Sequence, residues 1–317
     1  MNVFSAFDGN RSARLALRRA GVRVDKYYSS EIDKYALAIA NKNFPDLEKY
    51  QLGDINKVDA SQISDVDLFV GGSPCTSFSK NGKMKGFDGA SGLFWRYAYL
   101  LKKVKPKYFI LENVAMKQEW QDVISEELGV KPLAFDSRLV SAQKRPRLYW
   151  TNIPNVISPA DREVFLSDII SGEHKIINDH DIIIQEPTPT GEYSSLVEDG
   201  TFYINSGHKD KTWCSVRKKM VGYTTAKEGD SVNLAVPLSK TRRGRCDSFK
   251  TNTVDTACAY GMILDGNLVE LNINDFEVLQ NLPKDYTQGV SLTQRKKMIG
   301  NGFTVDMVAH IASFIKD

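Results

Sequence analysis

Short apolar runs alternate with amphipathic stretches through the first 150 residues, and this rhythm constrains the fold more than any other feature. "NVFSAF" precedes "RSARLALRRAG", where Ala13, Leu15, Ala16, Leu17 and Ala20 supply an apolar face and Gly21 a C-terminal stop. "YYSSEI" precedes "DKYALAIANKNF", with Asp33 as its N-terminal acid. "DLFVGG", "KYFILEN" and "RLYWTNI" read as further short buried strands, and "GLFWRYAYLLKKV" and "EWQDVISEEL" as helices between them. Strand–helix alternation predicts a mainly parallel, Rossmann-like α/β sheet with helices on both faces.

From about residue 155 the pattern loosens. Proline and glycine punctuate it ("ISPAD", "QEPTPTGEY"), and the intervening pieces are short, polar or β-branched. A smaller domain of irregular and β character is expected over 155–285. Helical rhythm returns at the end, where Val305, Val308, Ile311 and Ile315 share a face. The predicted body is therefore residues 1–154 and 286–317, with an insert between.

The chain of 317 residues, 42% hydrophobic and 26% charged, has room for a real core. Its first apolar run is too short for a secretory signal, and no stretch of 18 apolar residues suggests a membrane span. Four cysteines (Cys75, Cys214, Cys246, Cys258) with no C-x-x-C pair argue against a disulfide framework or a zinc site, so no metal is expected. A cytoplasmic setting fits that usage. The net charge of +3 is uneven: residues 201–250 hold eleven Lys and Arg against four Asp and Glu, +7, leaving −4 elsewhere. Such asymmetry suits an acidic partner such as nucleic acid, and a solvated basic face is the alternative on charge alone.

In open α/β sheets ligands collect at the carboxyl ends of the strands. The first strand ends at Phe7, Asp8 and Gly9, and the second at Glu31, 22 residues beyond Gly9. An acid at that distance can accept from a ribose hydroxyl pair. The loop "FDGNRSA" lacks the three glycines of a dinucleotide fingerprint. That tells against NAD and is compatible with a phosphate-free nucleoside cofactor such as S-adenosylmethionine. Asp54 in "LGDI" is placed to accept from an adenine amino group. Each of these acids, taken alone, is equally a helix cap.

"DLFVGGSPC" delivers Cys75 to the same edge. An isolated cysteine is commonly an inert buried residue. Here Pro74 stiffens the turn, Gly71 and Gly72 permit close approach, and the following "TSFSKNGKMKGFDGASG" is polar, basic and rich in possible hinges. The next strand ends in "LENV", where Glu112 is either a structural carboxylate or an acid sharing a proton with a ring nitrogen. "SAQKRPRLYW" brings Gln143, Lys144, Arg145 and Arg147 to another strand, for a base oxygen, for phosphates or for structural ion pairs.

In order, "FDG", "SEID", "GDI", "GGSPCTSFS", "LENV", "QKRPR", "LQNLPKDYT" and "IGNGFTVDMVAHI" resemble the motifs of DNA cytosine-carbon-5 methyltransferases. The likeness spans the chain apart from 155–268. "GGSPC", "SGLFW" and "VSAQKRPRLYWTN" are most similar to the de novo-type animal enzymes. With no regulatory domain ahead of the first strand, the expected form is a stand-alone bacterial or viral enzyme, acting in the cytoplasm of a bacterial or virus-infected cell.

The resemblance implies S-adenosylmethionine along Phe7, Asp8, Gly9, Glu31, Ile32, Asp54, Ile55, Pro74, Asn301, Gly302 and Phe303. It implies a cytosine flipped from duplex DNA, attacked at carbon 6 by Cys75, held by Glu112 at its ring nitrogen and amine, and by Arg147 with Arg145 nearby at its oxygen and phosphate neighbourhood. Residues 155–285 become a target-recognition domain. Arg217, Lys218, Lys219, Arg242, Arg243 and Arg245, with Ser79 and Lys80 of the loop after Cys75, are then expected on DNA.

The chain departs from the family pattern in its glycine-poor first loop, and at Val269 and Asp275, which stand where arginine and glutamate are frequent. A transfer-RNA cytosine methyltransferase is the nearest rival; its Cys-Phe-Thr signature is missing, since Ala259 and Tyr260 follow Cys258. A catalytically silent DNA-binding relative is the other alternative, set against the presence of Cys75, Glu112 and Arg147 together.

Overall fold

The computed structural model describes residues 1–74, 92–177, 182, 186–187, 193–194, 200–206, 211–214, 219–236 and 245–316, with backbone alone at 186–187, 193–194, 211–214 and 219–220. A six-stranded sheet is built from β1 (Asn2–Ala6), β2 (Lys26–Ser30), β3 (Leu68–Gly72), β4 (Tyr108–Val114), β5 (Leu133–Asp136) and β6 (Pro146–Thr151). Its order is β2-β1-β3-β4-β6-β5. The first four in that order are parallel, and β6 pairs antiparallel with both β4 and β5. The α/β class is as the alternation predicted; β5, only four residues long, was too short to read as a strand.

Side-chain alternation divides the core between the two sheet faces. Val3, Leu68, Val70 and Ile110 point to one face, against α1 (Ser12–Arg19), α2 (Lys34–Asn43) and the far C-terminal helix. Phe4, Phe69, Phe109 and Leu111 point to the other, under α3 (Leu93–Val104) and α4 (Gln118–Leu128). Asp33 caps α2, its carboxylate accepting from the Tyr35 and Ala36 amides. Gly21, at φ +74, ends α1 as Val22 N–H reaches back to Leu17 O at 3.0 Å.

The remaining helices are α5 (Leu166–Ile169), α6 (Ile273–Leu279), α7 (Leu292–Asn301) and α8 (Val305–Ala312). Val305, Val308 and Ile311 are buried, so α8 matches the expected final helix, with Ile315 just beyond it. Between β6 and α6 lie small antiparallel sheets, one of three strands and one of five, around a core of Phe202, Ile204, Val232, Ile263 and Leu268. The large core also takes Val254, Cys258, Phe276 and Leu279, residues from within the expected insert. No helix among the described residues is long and apolar enough to cross a membrane.

Candidate active site

The chain leaves β1 to form β2 on one side and later returns to form β3 on the other. Such a switch point opens a crevice beyond the strand ends. Here a cavity of about 370 Å³ lies between Ser5–Asn10 of one strand end and Gly71–Pro74 of the next. Glu31, Glu112, Arg145, Arg147, Lys297 and Gly300–Phe303 complete its wall.

On the β1–β2 side, Glu31 is held by backbone. Its Oε2 accepts from Gly9 N–H at 2.9 Å, and Oε1 from the Ile32 and Asp33 amides at 2.8 Å each. Ile32 is 73% exposed beside it. Asp33 and Lys297 pair at 2.7 Å across the rim, joining the head of α2 to α7. Asp54 does not line the cavity; its carboxylate accepts from the backbone and side-chain nitrogens of Asn56 at 2.9 and 3.1 Å. Ile55 is buried under α3, where Arg96 holds its carbonyl at 3.0 Å.

On the β3–β4 side, Gly72 is paired with Glu112, and a Cβ on Gly72 would sit 3.1 Å from Glu112 Oε2. Only glycine leaves the carboxylate that space. Arg147 Nε meets Glu112 Oε1 at 3.1 Å, both largely shielded from solvent, so the two groups expected at one base do share one wall. Asn113 is a residue the motif reading passed over. Its amide donates to Ser73 Oγ at 3.0 Å and Ser73 O at 3.3 Å, fixing the strand end that leads through Pro74. Cys75, Ser79 and Lys80 lie outside the described residues.

Arg145 touches the cavity but spends its guanidinium on backbone. Nη1 donates to Val254 O at 2.8 Å, and Nη2 to Gly302 O at 2.6 Å and Gly300 O at 3.1 Å. Its placement is that of a pin beneath the 300–302 turn, whereas a place on the cytosine was expected. Gln143 is similarly committed, to Leu279 O and the Gln280 side chain. Arg245, expected on DNA, is instead 1% exposed, donating to the carbonyls of Asn233, Ala235 and Val236. Such a buried fork organises its own loop. Arg217, Lys218, Arg242 and Arg243 lie outside the described residues, as does the side chain of Lys219.

Burial pushes the thiols of Cys246 and Cys258 up to about 12, which makes both poor nucleophiles. Asp8 is the titratable group most displaced within the cavity loop. Burial raises it to about 7, opposed by hydrogen bonds from Ser5 and Tyr27 and by nearby Arg11.

The family model described as C-5 cytosine-specific DNA methylase matches residues 1–122, which carry both halves of this crevice through Glu112. Over those 122 residues the chain is similar to C-5 cytosine-specific DNA methylases. Orphan methyltransferase M.SPRI of Bacillus phage SPR is 37% identical over 169 residues, 48% of this chain and 38% of that protein. The chain thus spans well under half the length of this phage methylase. Type II methyltransferase M.HhaI of Haemophilus parahaemolyticus is 26% identical over 336 residues, covering 98% of this chain and 93% of that protein. Among solved structures, the Entamoeba histolytica methyltransferase EhMeth superposes with a TM-score of 0.63 at 16% identity, covering 99% of this chain and 97% of that one. At such identity the likeness speaks for a shared fold alone.

Proposed function

We propose that this protein transfers a methyl group from S-adenosylmethionine to carbon 5 of a flipped-out cytosine in duplex DNA. The observation that carries the reading is the single cavity in which Glu31 and the 300–303 turn adjoin the Glu112–Arg147 pair and Ser73–Pro74.

The walls fit the cofactor. A cavity of about 370 Å³ is within the usual range for a small-molecule site. Glu31 keeps one lone-pair site, on Oε2, beyond those its three backbone donors use, for a ribose hydroxyl. The first loop lacks a glycine-rich phosphate cradle, as suits a ligand without phosphates. When bound, S-adenosylmethionine would supply an electrophilic methyl group.

The chain's own residues do the rest. Cys75 thiolate forms a bond from Sγ to cytosine carbon 6, and the ring electrons that this displaces make carbon 5 nucleophilic. Glu112 in its protonated form donates its proton to ring nitrogen 3 and accepts from the exocyclic amine, which neutralises the charge developing on that nitrogen, and it takes the proton back as the adduct collapses. Arg147 orients that carboxylate and reaches the cytosine oxygen. Once carbon 5 carries the methyl group, loss of its proton returns electrons to the ring, and the Sγ–carbon 6 bond breaks to regenerate the thiolate. The base has to leave the helix first, because neither carbon is open to in-line attack inside the stack. Residues 155–285 would read the target, using the lysines and arginines of 201–250 for phosphates.

The test is an adduct assay. Wild-type protein should form a covalent complex with duplex DNA containing 5-fluorocytosine, which cannot lose a proton from carbon 5, and Cys75→Ser should form none. Labelling of transfer RNA in preference to duplex DNA would overturn the choice of substrate. Absence of any adduct would overturn catalysis itself.

A further inference from the structure

Beneath the cofactor wall lies a charged pair that the reaction as described leaves unused. Arg11 stands at the head of α1 with φ +64, a left-handed conformation that a long side chain adopts only when its surroundings hold it there. Its side chain is 0% exposed. Nη1 crosses to the end of α2, donating to Ala40 O at 3.0 Å and Phe44 O at 2.7 Å. Nε and Nη2 have no hydrogen-bond partner among the described residues. A guanidinium cannot shed its proton at such a site, so it needs an opposite charge. Asp8 Oδ2 is 4.0 Å from Nε, with 2% of its side chain exposed, and the Tyr27 hydroxyl donates to Oδ1 at 2.5 Å.

The same few residues shape the cavity. Asp8 N–H is tied to Ser30 O, Gly9 N–H to Glu31, and Arg11 N–H to Asp8 O, so the turn from Phe7 to Arg11 is fixed at each step. We propose that Asp8 is a proton-dependent positioning residue of the cofactor site. Ionised, it anchors Arg11 and keeps the Phe7–Arg11 turn in the shape that receives S-adenosylmethionine; protonated, it lets go. The inference rests on the cofactor reading above and adds a control on it.

The groups facing Asp8 come from every neighbouring element: Ser5 from β1, Tyr27 from β2, Glu31 at the end of β2, and Arg11 before α1. Tyr286 also feels its charge, and its hydroxyl donates to Asn10 O at 2.9 Å. Burial holds both tyrosines well above their ordinary range, so they stay donors near neutrality. Asp8 itself, raised to about 7 by burial, changes state near neutrality.

Two readouts on the intact chain separate positioning from mere structure. By calorimetry, S-adenosylmethionine should bind wild-type protein about tenfold more weakly at pH 6 than at pH 8, because only the ionised fraction is competent. Asp8→Asn, which has no ionised form, should bind at pH 8 more weakly than wild type does at pH 6, with no pH dependence between. Thermal melting should move the other way. A carboxyl raised from 3.8 to about 7 by folding stabilises fully below 3.8, and that contribution is lost as pH rises through 7. Asp8→Asn removes the titrating group, so its melting temperature should lack this pH dependence. Full affinity of Asp8→Asn at pH 8, or a retained pH profile of its binding or its melting, would each overturn the proposal. Absence of binding by wild type at every pH would overturn it together with the cofactor reading.

Discussion

Glu112 and Arg147 lie far apart in sequence and meet because β4 and β6 run antiparallel, pairing Val114 with Arg147 and Glu112 with Tyr149. The ion pair is therefore a product of strand register, preset before any base arrives. Glu112→Gln keeps the shape and removes the carboxylate. It should lower kcat by about 10²- to 10⁴-fold, the usual share of a positioned acid or base, while the melting temperature stays close to wild type. Arg145→Ala should behave oppositely. The carbonyls of Val254, Gly300 and Gly302 lose a charged donor inside the protein. Urea unfolding should register a loss of about 3 kcal/mol or more. The two arginines look alike in "QKRPR", and only the strand that starts between them turns one to the cavity and the other to the scaffold.

Among the elements, α7 has the tightest fit. A Cβ on Gly300 would lie 2.4 Å from both Asp255 C and Thr256 N, which are backbone atoms with little room to yield. Gly300→Ala should cost about 1–3 kcal/mol in urea unfolding and weaken S-adenosylmethionine binding in the same protein, since the displaced turn carries Asn301–Phe303. Elements with a strong period were legible in the sequence: β1 to β4, β6, α1 to α4 and α8 lie where apolar spacing put them. The Asp33 cap and the Gly21 stop were legible as well, because each is a local hydrogen-bond requirement. β5 was not, because a four-residue strand paired only with β6 needs no apolar run. The places of Asp54, Ile55 and Arg245 depend on packing between distant segments. A motif of three letters carries no record of that.

At the scale of the whole molecule, charge is divided, with +7 on residues 201–250 and −4 on the rest. If the five expected cations Arg217, Lys218, Lys219, Arg242 and Arg243 each displace one counterion, log Kd for duplex DNA should change with log salt at a slope near five. Raising salt from about 50 to 200 mM should then weaken binding by about 10²- to 10³-fold. Replacing Arg242 and Arg243 with glutamine should reduce the slope by about two, as fluorescence anisotropy titrations would show. The site as a whole was legible where chemistry dictates residue type, at Glu31, Glu112 and Arg147. It was hidden where it depends on who holds whom: Asn113 on Ser73, Lys297 on Asp33, Arg145 on Gly302.

One seam joins the two sides of the molecule. Gln143 bridges Thr251, Lys144 pairs with Asp247, Thr253 Oγ1 donates to Lys144 O, and Arg145 holds Val254. For anyone grafting a foreign recognition module onto this scaffold, that seam sets the suture line. Cuts after Ile177 and before Arg245 keep that seam, but the graft has to replace the Asn233, Ala235 and Val236 carbonyls that hold Arg245. A cut a few residues later frees Arg145 from the Val254 carbonyl and unpicks the 300–302 turn it also holds, so the hybrid would fail at the cavity wall for reasons unrelated to the sequence it was built to read.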